Sequence, residues 1–190
     1  MKLTVKELIL TALFTALMVA GAFVRIPFPL LPVTLQPFIC ALAGMVLGSR
    51  LGALSMTVYT FLGLAGVPVF ANGGGIAYVF EKNFGFILGF IAGAAVIGKI
   101  SSAIKRPTAV KNLKALMPGL AVIYITGIAY MLLIMRVYLG NEQISLMFVL
   151  AANIPYIIKD TVLYIIIAIA GASLLPAIRK AFPAITPERG

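Results

Sequence analysis

The sequence predicts an all-α integral membrane protein with six transmembrane helices in one domain. Three observations carry that reading. Hydrophobic residues make up 62% of the 190-residue chain and charged residues only 11%, whereas a soluble domain is closer to half apolar and a quarter charged. The apolar residues fall in runs near the 20 or so that a spanning helix needs. The longest polar stretch, about Lys99 to Lys114, is too short to enclose a core of its own.

Taken in order, helix 1 covers about 5–24, and the proline-rich loop Arg25-Ile-Pro-Phe-Pro-Leu-Leu-Pro32 follows it. Helix 2, about 33–47, is short and joins helix 3, about 53–67, through the turn Gly48-Ser-Arg-Leu-Gly52. Pro68 to Gly75, ending Asn-Gly-Gly-Gly, cannot hold a regular helix. Helix 4 covers about 83–100 and helix 5 about 116–138, separated by a basic loop that reaches Lys114. A polar turn, Gly140 to Gln143, and a short apolar segment precede helix 6, about 155–175. Pro155 then falls in the first turn of helix 6, where its missing N–H costs little.

Six crossings place both termini, loop 2 and loop 4 on one side. Eleven Lys and Arg lie there (Lys2, Lys6, Arg50, Lys99, Lys105, Arg106, Lys111, Lys114, Arg179, Lys180, Arg189), against three opposite (Arg25, Lys82, Arg136). The positive-inside rule makes the termini cytoplasmic. The net charge of +10 thus belongs to membrane topology, not to a nucleic-acid face. The N-terminus reads as the start of a helix, with no clear cleavage site for a leader. The absence of histidine and the single Cys40 exclude His-based catalysis, His or Cys metal sites and an internal disulfide. With few residues for hydrolysis or metal chemistry, no enzyme is expected and no cofactor or metal.

The polar groups inside or beside apolar runs are the candidate site. Asp160 is the one acidic residue within an apolar run. A carboxylate at membrane depth costs roughly 2.5–3.5 kcal/mol on insertion scales, so it is usually paired and functional. It either accepts N–H groups of a ligand, takes a proton or cation, or forms a structural ion pair. Lys159 is adjacent, but neighbours on a helix point about 100° apart; it either snorkels outward or meets a ligand carboxylate. Tyr156 and Tyr164 flank Asp160 on the same face. Asn72, Gly73, Gly74 and Gly75 form a bare backbone loop able to aim N–H groups at an anion, although no Gly-Lys-Ser/Thr follows to make it an ATP-binding loop. Asn83 offers an amide, or caps helix 4. Thr34 and Gln36 lie beside the proline-rich loop. On helix 1, Ala12, Ala16 and Ala20 share a face whose small residues allow close helix packing, either within the chain or with another membrane subunit.

Pro32-Val-Thr-Leu-Gln-Pro37, Ala43 to Ala53, Tyr59, Leu62-Gly63, Gly66-Val-Pro-Val-Phe-Ala71, Gly73 to Gly75, Asn83 to Phe90 and Pro155 to Asp160 together resemble the BioY family, the biotin-specific substrate-binding (S) component of energy-coupling factor (ECF) transporters. The resemblance covers nearly the whole chain. It implies an S-component bundle in a prokaryotic plasma membrane that binds biotin from outside, partnered by a transmembrane coupling (T) subunit and two ATP-binding subunits. It further implies that the alanine face of helix 1 docks the T subunit. Biotin's ureido N–H groups suit Asp160, its bicyclic ring suits aromatic walls, and its carboxylate suits loop N–H groups or a lysine. The family pattern has Gly before the helix 6 aspartate and Lys about one turn after; here Lys159 precedes it and Leu163 and Tyr164 follow. The rival readings are a stand-alone vitamin carrier using Asp160 as a proton or substrate site, an intramembrane enzyme, and a structural membrane protein.

Overall fold

The computed structural model describes residues 3–28, 31–141 and 143–181. Lys2 and Arg189 of the charge tally, Pro29 and Leu30 of the proline-rich loop, and Glu142 of the polar turn lie outside the described residues. Among the described residues, five helices are long and apolar enough to cross a membrane. Helix α1, Val5–Phe23, opens with a capping box in which the Thr4 hydroxyl accepts from the Glu7 N–H and the Glu7 carboxylate accepts from the Thr4 N–H. Its buried stripe is Thr11, Phe14, Thr15, Met18, Gly21 and Ala22. Ala12, Ala16 and Ala20 lie on the opposite, exposed face with Leu13 and Leu17, so the alanine row does not pack within the chain.

The proline-rich segment is a small antiparallel ribbon, β1 (Arg25–Ile26) against β2 (Val33–Thr34). Helix α2, Gln36–Leu64, is broken at Gly48, whose φ of 78° and ψ of −177° are not helical. Glycine alone adopts that φ without strain. A Cβ on Gly52 would lie 3.1 Å from the Ala43 carbonyl. Nine residues of unbroken helix would separate those positions by about 13.5 Å, so the chain doubles back at Gly48 into two arms, 36–47 and 49–64. The expected turn over Gly48 to Gly52 thus shrinks to Gly48.

A 3₁₀ turn, Ile76–Phe80, leads to α3 (Phe84–Ser102); α4 (Ala109–Leu133) ends in a π-turn, Ile134–Tyr138; α5 covers Leu146–Ala181. Two boundaries correct the sequence reading. The basic segment before Leu116 is mostly helix. Thr108 caps α4 by accepting from the Lys111 N–H, while Asn112 and Ala115 are buried on its first turns. Hydropathy alone took exposed lysines on a helix start for a loop. Helix α5 begins at Leu146, so Pro155 sits in the helix interior, not in its first turn. The lost backbone bond is offset by a continuous inward stripe of Val149, Asn153, Tyr156, Asp160, Tyr164 and Ile167, while Ile154, Ile158, Val162 and Ile165 face outward.

Helix α3 packs against both α2 and α4. Its glycines permit this: a Cβ on Gly89 would sit 2.9 Å from the Ile123 carbonyl, and one on Gly93 would sit 2.6 Å from the Ile123 side chain. Such close backbone approach is how helices associate in lipid, where apolar burial gives no net drive.

Candidate functional site

Where the β1–β2 ribbon, the 65–83 loop and residues 153–160 of α5 converge, the described residues enclose a cavity. Its cavity volume is about 60 Å³, below the roughly 300–1,000 Å³ of small-ligand pockets, so a ligand of that size enters only as the lining moves apart. Phe86, Ile87 and Phe90 of α3 and Tyr124 of α4 form apolar walls, with the Phe86 and Tyr124 rings edge to face at 5.6 Å. Leu31, Pro32 and Pro37 line it beside the ribbon, and Ala71 and Tyr78 line it from the long loop.

Helix α5 supplies the polar side. Asp160 is only 2% exposed. Its Oδ2 accepts from the Tyr124 hydroxyl at 2.7 Å. Its Oδ1 lies 2.5 Å from Lys159 Nζ as an ion pair. Lys159 also donates to the Thr34 carbonyl at 2.7 Å. Adjacent residues on a helix diverge at Cβ, but the long lysine stem curls back, so Lys159 does not snorkel away; it ties the ribbon to the carboxylate. Tyr156 makes a second tie, since its hydroxyl donates to the Leu31 carbonyl (2.7 Å) and accepts from the Leu31 N–H (3.0 Å). Phe28 stacks edge-on against its ring.

Gln36 is held in a chain of hydroxyls: its Nε2 donates to Tyr59 Oη at 2.8 Å, which donates to the Val69 carbonyl at 3.1 Å. Asn83 stands at the N-cap position of α3, yet its side chain makes no cap bond. Its Nδ2 instead reaches the Tyr78 hydroxyl at 2.9 Å, and its buried Oδ1 has no hydrogen-bond partner. Burial also pushes the Tyr78 phenol above its ordinary range, against the opposing hydrogen bond from Asn83.

The structure therefore brings together Asp160, Lys159, Tyr156, Asn83, Thr34 and Gln36. It does not bring Tyr164 or the glycine loop to the cavity wall. Tyr164 lies one turn deeper and donates to the Pro37 carbonyl. Asn72 lines an outer chamber, where its Oδ1 accepts from Arg25. The N–H groups of Gly73 and Gly75 are spent on the Phe70 and Gly63 carbonyls, so they hold the loop in shape and are not aimed at an anion. A Cβ on Gly74 would run into the Val67 carbonyl. The longer loop reaches the cavity through Ala71 and Tyr78, with Phe70 packed behind them between Tyr59 and Tyr78.

Sequence reasoning did not include Tyr124, Tyr78 or Asn153, all of which line the cavity. Tyr124 and Asn153 carried the signal that singled out Asp160, a polar group inside an apolar run. Phe86 and Phe90 carried none, because an aromatic in a spanning helix is ordinary. Among the described residues no cluster of three His, Cys, Asp or Glu could hold a metal. The cavity thus presents a buried carboxylate, amide groups and aromatic walls.

A sequence model of the BioY family matches residues 1–183. The chain belongs to the BioY family. It is 38% identical over 176 residues to the probable biotin transporter BioY of Lysinibacillus sphaericus, covering 93% of this chain and 88% of that one. The biotin transporter BioY of Thermotoga maritima is 40% identical over 124 residues, covering 65% of this chain and 72% of that protein. That of Rhodobacter capsulatus is 34% identical over 176 residues, covering 89% and 93%. In fold, this BioY chain is similar to the S-component for biotin from an ECF-type ABC transporter, with a TM-score of 0.66 at 22% identity over 98% of this chain and all of the other. It also resembles the S component of a bacterial ECF transporter, with a TM-score of 0.50 at 20% identity over 97% and 98%. The family and the apolar helices make it a multi-pass membrane protein.

Proposed function

We propose that this chain is the biotin-binding S component of an ECF-type uptake transporter and that biotin occupies the cavity beside Asp160. The observation that carries the reading is the carboxylate, 2% exposed in a cavity with aromatic walls. An ionised carboxylate offers only acceptors, which suits the ureido N–H groups, and the bicyclic ring fills the apolar walls. Family membership and the BioY relatives support biotin over other vitamins.

Asp160 is the primary anchor, with Asn83 on the facing wall. Lys159, Tyr156, Thr34 and Gln36 hold the ribbon over the ligand, and the prolines between Arg25 and Pro37 limit the entropy lost when it closes. Asn72, Gly73 to Gly75 and Tyr164 act by shaping the rim and floor. Because Lys159 is committed beside Asp160, it cannot also meet the carboxylate at the far end of the valerate chain of the same biotin.

The two arms of α2 cross separately, giving six spans in a single domain, and the charge bias puts both termini in the cytoplasm with the cavity facing outward from the cell membrane. The exposed Ala12, Ala16 and Ala20 face docks a T subunit, which with two ATP-binding subunits supplies the energy; the chain itself is not an enzyme. Biotin uptake in a biotin-requiring host tests this. Uptake that needs the T and ATP-binding subunits is expected. Equal uptake by the chain alone would favour the stand-alone carrier.

A further inference from the structure

The α5 stripe carries one more polar group toward the cavity than the biotin reading has used. Asn153 is fully buried, lines the cavity and precedes Asp160 by seven residues on the same face. Two helical turns put the two positions about 10 Å apart along the axis. The Asn153 Nδ2 donates to the Val149 carbonyl at 2.8 Å and points a second, weaker contact at Met131 sulfur. Its Oδ1 is buried without a hydrogen-bond partner.

That bonding fixes the amide's orientation, with Nδ2 held by the Val149 carbonyl and Oδ1 left as the unpaired end. A backbone carbonyl only accepts, so turning the amide over would set two oxygens against each other. Asn83 differs: its neighbour, the Tyr78 hydroxyl, can donate or accept, so its amide can present either end. Asn153 is locked as an acceptor. A buried carbonyl oxygen left unpaired is costly, and a donor on the ligand would satisfy it.

We infer that Asn153 is a ligand-binding residue whose amide oxygen accepts one N–H of the bound urea while Asp160 accepts the other. This rests on biotin being the ligand. It makes the cavity selective for a ring with N–H groups on two opposite edges, held between two acceptors on one helix.

The test is calorimetric titration of detergent-purified wild type, Asn153→Leu and Asn153→Ala with biotin and with its two mono-N-methyl ureido analogues. The wild type should bind both analogues more weakly than biotin. Both variants should bind biotin about 5- to 100-fold more weakly and should lose the penalty for one of the two analogues, because the acceptor it offends is gone. Asn153→Ala keeps the test open if the leucine variant fails to fold. Wild-type biotin affinity in either variant would overturn the assignment. So would an equal loss for all three ligands, the mark of a merely structural asparagine. Failure of the wild type to bind biotin at all would instead sink the biotin reading.

Discussion

Replacing Asp160 by Asn keeps the side chain's size and changes what it offers. The native carboxylate accepts from Tyr124 at 2.7 Å, pairs with Lys159 at 2.5 Å and retains acceptor capacity for a ligand. The amide has one oxygen for these partners, and its NH₂ must point at a tyrosine hydroxyl, an ammonium group or a ligand N–H. Charged hydrogen bonds contribute about 1.5–3 kcal/mol, and neutral ones about 0.5–1.5 kcal/mol. Losing the charged acceptor should cost about 1.5–3 kcal/mol, a drop in biotin affinity of roughly 10- to 150-fold, even though the new NH₂ can donate to the Tyr124 hydroxyl. Calorimetry on the purified variant reads this directly, with thermal unfolding of the apo protein as a control for folding. A folded Asp160→Asn protein that binds biotin as tightly as the wild type would refute the reasoning and move the anchor elsewhere in the cavity.

Three further outcomes follow from the same geometry. Tyr156→Phe removes the hydroxyl that pins Leu31; at about 1–1.5 kcal/mol it should speed biotin dissociation roughly 5- to 12-fold, measured by chase with unlabelled biotin. Ala16→Leu alters an exposed position, so biotin binding and thermal stability should be unchanged, while uptake with the T and ATP-binding subunits falls as the bulky side chain blocks close helix approach. Gly89→Val forces side-chain atoms into the Ile123 backbone and should cost about 1–3 kcal/mol of overpacking, lowering the unfolding temperature by roughly 2–12 °C.

The helices were legible because lipid imposes a length and a polarity on each. The site was legible where a polar residue interrupts an apolar run, as Asp160 does and as Tyr124 and Asn153 also do. The Lys159–Asp160 pair was not, because helical spacing describes Cβ directions and says little about where a long flexible stem ends. The glycine loop suggested an anion cradle from composition, but only the fold shows its N–H groups spent on Phe70 and Gly63. Pro155 marked a helix start by local preference, and tertiary packing of the turns before it overrode that preference.

The most direct test of the central claim is an equilibrium titration of the wild-type chain, reconstituted in lipid nanodiscs without other subunits, with radiolabelled biotin. The account predicts one saturable site per chain that excess unlabelled biotin empties. A folded chain that shows no saturable biotin binding would contradict it.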